Sequence, residues 1–260
     1  MMKVQPASQN QIRQWRKLLR KKYRDAEGLF LVSGWNAVKE FLNGARNQVK
    51  EFIVTKEHLD KLPELSADDQ WPVFTVTATD FKRLSDEQHP QGIALTARIQ
   101  AYAIDSEMPQ ENTLIYLDRV NDPGNLGTIV RSAVWFGLTT LLLSPESADP
   151  FQPKAVRASA GAIGRVKIYR GVDSASLKQL MRESGYSGVA TVVEGGMTDR
   201  ELRRYSGKKT ILVLGSEAAG LSPELLNICP IKISIPKPGY GESLNLSTAA
   251  AILFYLLRSG

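Results

Sequence analysis

The chain has 260 residues, of which 43% are hydrophobic and 23% charged, so it has the balance of a folded protein with one large or two ordinary domains. No apolar run reaches the roughly 18 residues that a membrane span needs, and the first residues show no apolar core of a signal peptide. A single cysteine, Cys229, excludes an internal disulfide, and two histidines leave little for a metal centre. We therefore expect a cytoplasmic protein without a metal.

The first predicted helix is strongly basic. From Lys3 to Arg24 there are eight basic residues and no acidic one, although the net charge of the chain is only +6. Such clustering is typical of a protein with a polyanionic partner. A solvated basic helix face is the simpler alternative explanation. Ile12, Trp15 and Leu18 recur at helical spacing, so one face packs, with Trp15 in the core, and the other displays charge. The candidate contacts of the polyanion are Arg13, Arg16, Lys17, Arg20, Lys21, Lys22 and Arg24.

Residues 9–98 alternate between short helices and short strands. The predicted strands are 28–32, 52–55, 73–76 and 92–97. Ser33 is the expected N-cap of a helix through Phe41, and Thr79 or Asp80 that of a shorter one. These elements predict a small α/β domain without a catalytic constellation. The stretch 100–112 has the composition of a linker, which divides the chain into domains 1–105 and 106–260.

Beyond the linker, apolar strands alternate regularly with helices. The predicted strands are 114–117, 139–143, 187–193, 210–214 and 231–235, and the predicted helices are 125–136, 174–183 and a last one that ends at Arg258. This alternation predicts a mostly parallel sheet that is covered on both faces.

The first of three informative loops is 118–131. A turn sequence leads to Asn125, which can cap the following helix. Arg131 lies nearly two turns into that helix, where its guanidinium can fork toward a phosphate or a ribose oxygen. Alternatively, Arg131 is an ordinary surface arginine.

The second and third loops also follow strands. Glu217 stands between Gly215 and Gly220, where bare backbone could approach a ligand, although a plain strand-to-helix turn would look the same. The third loop begins at Pro236, contains two glycines and opens the last helix at residues 243–247. Strand, glycine loop and helix start present backbone groups to a small molecule. Neither the first nor the second loop is a dinucleotide-binding or Walker A motif.

Together the three loops resemble the signature of the SPOUT superfamily, specifically the SpoU (TrmH-like) RNA ribose 2′-O-methyltransferases. The matching segments are Asn125-Leu126-Gly127 with Arg131, residues 214–220, and Ile235-Pro236 with residues 243–249. The resemblance is close over about the last 150 residues, and about the first 100 are more loosely similar to a ribosomal-protein-like RNA-binding domain. It implies an α/β domain with a deep trefoil knot, S-adenosylmethionine as cofactor, RNA as substrate and a homodimer.

The resemblance also implies roles for particular residues. The implied cofactor-binding residues are Val193, Leu214, Gly215, Gly220, Ile235 and Leu244. The implied catalytic residues are Arg131, Asn125, Glu217, Ser243 and Asn245. Because arginine stays protonated, we expect Arg131 to bind a phosphate beside the target ribose and to stabilise the developing alkoxide. Glu217 could instead pin its loop, and Ser243 or Ser247 could simply cap the last helix.

The sequence leaves several functions open. The methyl group could go to a base nitrogen, or to transfer RNA rather than to the favoured 23S (large-subunit) ribosomal RNA. A covalent route to carbon 5 of a pyrimidine lacks a nucleophile, because Cys229 resembles a small buried hydrophobe. The chain could also be a non-catalytic RNA-binding or ribosome-assembly protein with the same fold, or a nucleotide-binding enzyme that does not act on RNA.

Overall fold

The computed structural model describes residues 3–62, 71–104, 108–217 and 219–258. The chain forms two compact units, the first made of residues 1–100 and 149–165 and the second of residues 101–148 and 166–260. The predicted boundary between residues 105 and 106, like the middle of the predicted linker, lies outside the described residues. No helix among the described residues is long and apolar enough to cross a bilayer.

The first unit is built on a five-stranded mixed sheet. Its elements are β1 (Val4–Pro6), α1 (Gln9–Lys17), α2 (Lys21–Glu27), β2 (Leu29–Ser33), α3 (Trp35–Ala45), β3 (Val49–Thr55), β4 (Val73–Val76), α4 (Ala78–Lys82) and β5 (Ile93–Arg98). The strand order is β1-β4-β3-β5-β2, and β5 is antiparallel to both of its neighbours. The four predicted strands are confirmed; β4 has the predicted ends, and the ends of the other three are shifted. The edge strand β1 was missed because three residues carry little pattern.

Three local predictions in this unit are wrong. The basic segment is two helices rather than one, because Arg20 is extended with φ −106° and ψ 132°. Ser33 does not cap α3, because it still belongs to β2 and pairs with Ala94. Gly34 precedes the helix with φ +94°, a conformation that glycine adopts without a steric penalty. Thr77 caps α4, so the expected cap was placed at least two residues too late.

The second unit holds a six-stranded parallel sheet. Its elements are β6 (Thr113–Leu117), α5 (Pro123–Trp135), β7 (Thr140–Leu143), β8 (Lys167–Arg170), α7 (Ser174–Ser184), β9 (Ser187–Thr191), α8 (Asp199–Leu202), β10 (Thr210–Leu214), α9 (Pro223–Ile228), β11 (Ile231–Ile233) and α10 (Leu246–Arg258). The order is β11-β9-β10-β6-β7-β8. Consecutive residues of β6 and β10 are all buried, so both faces of the sheet are covered. The predicted α/β class is confirmed. β8 was missed because its four residues begin and end with a charge.

Residues 149–165 belong to the first unit although both flanking segments belong to the second. They form α6 (Pro153–Ala158) and a 3₁₀ turn (Ala162–Arg165). Gly161 has φ +89°, and a Cβ there would lie 2.2 Å from the carbonyl oxygen of Ala37 in α3. Only glycine fits this close approach. This return of the chain was not predicted from the sequence.

Candidate functional site

The three predicted loops leave the parallel sheet at one edge. Residues 118–122 follow β6, residues 215–222 follow β10, and residues 234–245 follow β11. β6 and β10 are neighbours, and β9 separates β10 from β11. Because these strands are parallel, their carboxyl ends share one edge, which is where open α/β sheets bind ligands.

Glu217 connects all three loops. Its Oε1 accepts hydrogen bonds from Asn125 Nδ2 at 2.5 Å, from Asn245 Nδ2 at 3.0 Å and from the Leu246 N–H at 3.3 Å. Asn245 Nδ2 also donates to Asn125 Oδ1 at 3.1 Å. We call Asn125, Glu217 and Asn245 the three-loop cluster. These bonds are the ones expected if Glu217 pins its loop.

The start of α5 explains why the Asn125 amide is available. Asp122 caps the helix, because its Oδ1 accepts the Asn125 N–H at 2.8 Å. The prediction that Asn125 is the cap is therefore wrong. Asn125 lies inside the first turn, and its side chain is left to bind Glu217.

Asn245 caps α10. Its Oδ1 accepts the N–H groups of Ser247 at 2.9 Å and Thr248 at 3.3 Å. The Ser247 hydroxyl donates to the same oxygen at 2.6 Å. The possibility that Ser243 or Ser247 caps this helix is therefore excluded.

Arg131 and Ser243 lie outside the three-loop cluster. Both are exposed, and neither side chain forms a hydrogen bond or ion pair with another residue in the described parts of the chain. Residues six apart on an α-helix differ in direction by about 120°, so Arg131 and Asn125 leave α5 on different faces. Arg131 shares its face with Trp135, which is 84% exposed. The structure thus brings together three of the five predicted catalytic residues.

The predicted cofactor residues lie along the same sheet edge. Leu214 ends β10, and Gly220 closes the next turn by donating its N–H to the Ser216 carbonyl at 2.9 Å. A Cβ on Gly215 would lie 2.3 Å from the carbonyl carbon of Gly220, so this turn requires glycine. Ala218, inside the turn, lies outside the described residues.

Two apolar side chains on this edge are exposed. Val193 follows β9 and is 58% exposed, and Leu244 precedes α10 and is 49% exposed. β9 ends at Thr191 and β11 at Ile233, earlier than predicted, so Val193 and the half-buried Ile235 are loop residues. Exposed apolar side chains beside backbone groups fit a ligand with an apolar face and polar edges. The residues present therefore fit a nucleoside-type cofactor.

A polar pair next to the three-loop cluster was not predicted from the sequence. Asp118 is buried, and its Oδ2 accepts the Ser222 N–H at 3.2 Å and Arg119 Nη2 at 3.0 Å. Arg119 Nη2 also donates to the Gly220 carbonyl at 3.3 Å. The signal in the sequence that could have identified this pair is two charged residues directly after an apolar strand.

Cys229 offers no nucleophile. Cys229 is 1% exposed, and burial raises the pKa of its thiol to about 11, so at neutral pH it is not a thiolate nucleophile. Its prediction as a buried hydrophobe is confirmed. Across the described ranges, no three His, Cys, Asp or Glu residues are grouped so that they could hold a metal ion.

In the first unit, α1 and α2 carry an exposed basic surface. The apolar side chains of Ile12, Trp15 and Leu18 pack into the core, and Trp15 Nε1 donates to Glu51 Oε1 at 2.9 Å. This confirms the one-sided packing. The residues that form the basic surface are Arg13, Arg16, Lys17, Arg20, Lys21 and Lys22.

Arg24 does not belong to the basic surface, so its predicted contact with a polyanion is wrong. Its side chain is only 3% exposed. Its Nη2 and Nε donate to Asp149 Oδ2 at 2.6 and 3.1 Å, and its Nη1 donates to the Leu18 carbonyl at 2.7 Å. A buried and forked ion pair is not available to a phosphate.

Comparison with known proteins supports the interpretation of both units. Residues 112–255 match the SpoU rRNA methylase family, and residues 9–95 match the MRM3-like substrate binding domain. The chain is 29% identical over 259 residues to the 23S rRNA (guanosine(2553)-2′-O)-methyltransferase RlmP of Bacillus subtilis, covering 99% of this chain and 100% of that protein.

Solved structures agree over nearly the whole chain. A protein assigned to the TrmH family of RNA methyltransferases from Porphyromonas gingivalis has a TM-score of 0.85 and 33% identity, covering 98% of this chain and 99% of that one. An AdoMet-bound rRNA methyltransferase from Sinorhizobium meliloti has a TM-score of 0.83 and 28% identity, covering 99% and 98%. This chain therefore belongs to the SpoU rRNA methylase family, whose enzymes use S-adenosylmethionine.

Proposed function

We propose that this enzyme methylates a ribose 2′-hydroxyl of 23S (large-subunit) ribosomal RNA. The observation that carries the proposal is the three-loop cluster at the carboxyl edge of the sheet, where Glu217 joins Asn125 to Asn245. The name of the Bacillus subtilis relative supports both the ribose oxygen and the RNA class. Bound S-adenosylmethionine would supply an activated methyl group on a sulfonium. Methyl transfer then depends on holding the acceptor oxygen in line, which positioning groups provide.

The residues would divide this work by their chemistry. The main chain at Leu214, Gly215, Gly220 and Ile235 would bind the polar edges of the cofactor, and the exposed side chains of Val193 and Leu244 would cover its apolar surface. Asn125, Asn245 and Ser243 would orient the nucleotide. Arg131 would bind the adjacent phosphate and stabilise the alkoxide as it develops.

Arg131 could reach such a site from a second copy of the chain. It lies on a different face of α5 from Asn125, about one turn from Trp135. The ring of Phe136 lies 6.2 Å from that of Tyr255 on α10, and Tyr255 is 54% exposed. Exposed aromatic side chains at the end of two packed helices are typical of an association surface. We therefore propose a homodimer whose interface includes Trp135, Phe136 and Tyr255. The chain would have the knotted fold of the family.

The basic surface of α1 and α2 would hold the RNA. Five exposed cations on two short helices, with Arg20 between the helices, would supply the sequence-independent attraction to phosphates. The match of this unit to a substrate-binding domain supports that role. The enzyme would work in the cytoplasm on ribosomal RNA, which are the location and the substrate expected from the sequence.

The first test is transfer of labelled methyl from S-adenosylmethionine to ribosomal RNA and, separately, to transfer RNA. Alkali cannot cleave beside a 2′-O-methyl group, so label in alkali-resistant dinucleotides of ribosomal RNA is the expected result. Label in single nucleotides would show that a base is methylated. Label in transfer RNA alone would show that transfer RNA is the substrate. No transfer to either RNA, or to ribosomal assembly intermediates, would favour a binding protein.

The dimer proposal has its own test. We expect Arg131→Ala and Asn245→Ala each to be inactive as homodimers. Co-expressed, the two variants form mixed dimers in which one site has an intact cluster and an intact Arg131 from the partner. Recovered activity in the mixture supports the shared site, whereas inactivity of purified mixed dimers places Arg131 and the cluster in the same copy.

A further inference from the structure

Arg119 has a strained backbone next to the three-loop cluster. Its φ is +53°, a left-handed conformation that is uncommon for residues with a Cβ and that tends to occur at functional sites. Its N–H donates to Ser144 Oγ at 2.9 Å, and the preceding N–H of Asp118 donates to the Leu214 carbonyl at 2.8 Å. The end of β6 is thus bonded to the end of β10 through Asp118 and to the residue after β7 through Arg119.

The side chains of Asp118 and Arg119 hold one end of the turn that carries Glu217. The Arg119 guanidinium donates to the Gly220 carbonyl, and Asp118 Oδ2 accepts the Ser222 N–H. Arg119 Nε and Nη2 also donate to Asp118 Oδ2, at 3.2 and 3.0 Å. The Arg119 side chain is 34% exposed, so its guanidinium lies at the rim of the site rather than in the core.

We propose that Arg119 is a positioning residue for the cofactor site. It fixes the Gly220 end of the turn, so that Glu217 stays bonded to Asn125 and Asn245 and the main chain at Leu214 is already in its binding conformation. A site that is ordered before binding loses less entropy when the ligand enters, so the effect of Arg119 falls on cofactor affinity. This inference rests on the proposed function.

The test uses Arg119→Gly. Glycine removes the guanidinium but adopts positive φ freely, so relief of the backbone strain should offset part of the cost of leaving the buried Asp118 carboxylate without its cation, and the melting temperature is measured beside the Kd. We expect the Kd of S-adenosylmethionine, measured by calorimetry without RNA, to rise about tenfold, which is the effect of one charge-assisted hydrogen bond. The KM for the cofactor should rise in parallel, with kcat reduced less than about threefold.

Two further variants make the result specific. Arg119→Lys keeps one charged donor without the fork, so it should restore part of the affinity. Arg182→Ala is the matched control, because Arg182 is 79% exposed and its ion pair is with Glu183, so its Kd should equal that of wild type.

The outcomes separate the two levels of inference. An unchanged Kd in Arg119→Gly, with or without a lower melting temperature, would show that Arg119 is structural only and overturn the proposal. A wild-type protein that binds S-adenosylmethionine but methylates neither RNA would contradict the proposed function and leave the Arg119 result interpretable, because the calorimetric Kd needs no turnover.

Discussion

The basic surface of the first unit and the three-loop cluster of the second are built in opposite ways. On the basic surface, six exposed cations stand side by side, and the ion pair between Lys21 and Asp25, at 2.8 Å, is itself exposed. In the cluster, a single carboxylate oxygen of Glu217 accepts hydrogen bonds from three donors on two other loops. Exposed charges contribute to binding nearly independently of one another, whereas hydrogen bonds that share one acceptor are all lost when that acceptor is removed.

Arg24 shows how little separates the two kinds of residue in the sequence. It stands two positions after the exposed Lys22, yet it is buried against Asp149. A cation therefore stays on the exposed surface or joins the core according to which side of its helix packs. Four sets of variants challenge this contrast, beginning with the largest expected effect.

Arg131→Ala should lower methyl transfer by at least about 10²–10³-fold, because a donor aimed at developing charge is lost. The Kd of S-adenosylmethionine should stay unchanged, since the Arg131 side chain forms no hydrogen bond or ion pair with the described loop residues. Methyl-transfer assays and calorimetry measure the two quantities. The methyl-transfer rate of Arg131→Lys, which keeps the charge without the forked guanidinium, should fall between those of the wild type and Arg131→Ala. Turnover within about threefold of wild type in Arg131→Ala would remove Arg131 from the mechanism.

Arg24→Ala should lower the free energy of unfolding of the first unit by about 3–5 kcal/mol, because Asp149 is left buried without a partner. Urea denaturation measures this change. Arg16→Ala, from the exposed basic surface, is the matched control and should change stability by less than about 0.5 kcal/mol. Replacing both Arg24 and Asp149 by leucine should recover much of the loss. Equal stability of the two single variants would erase the contrast between buried and exposed cations.

Glu217→Ala should weaken cofactor binding and turnover by about 10–100-fold, because the donors on Asn125 and Asn245 lose their shared acceptor. Glu217→Gln keeps a carbonyl oxygen at that position. If Glu217 acts by pinning the loops, the glutamine variant should stay within about fivefold of wild type in both quantities. A glutamine variant as poor as the alanine variant would show that the negative charge itself takes part.

Replacing Arg16, Lys17, Arg20 and Lys21 by alanine should weaken RNA binding about tenfold at moderate salt and reduce the slope of log Kd against log salt by about 2. Filter binding over a salt series measures both. The matched control replaces four exposed lysines of the same unit, Lys39, Lys56, Lys61 and Lys82. An equal loss of affinity in the control would mean that the whole unit attracts RNA. An unchanged salt slope in the variant of the basic surface would mean that this surface is only solvated.

Local pattern was enough for most of the fold. β4 and β10 have the predicted bounds because each is a short, mostly apolar run with Pro72 or Gly215 at one end. The helix starts were harder to predict, since the exact point at which a strand becomes a helix depends on partners elsewhere in the sheet. Ser33 pairs with Ala94 and so remains in β2, which moves the beginning of α3. For the same reason β9 and β11 stop short of Val193 and Ile235.

The sequence by itself determined the composition of the site: which loops carry asparagine, glutamate and glycine, and where the cations are concentrated. Only the tertiary structure decided which of them meet. Glu217 lies 92 residues from Asn125 and 28 from Asn245 along the chain, and no local pattern encodes a hydrogen bond across such distances. The burial of Arg24, the position of Arg131 outside the cluster and the return of residues 149–165 to the first unit have the same origin. Each depends on which surfaces pack together, because burial and hydrogen bonding are settled between elements that are distant in sequence.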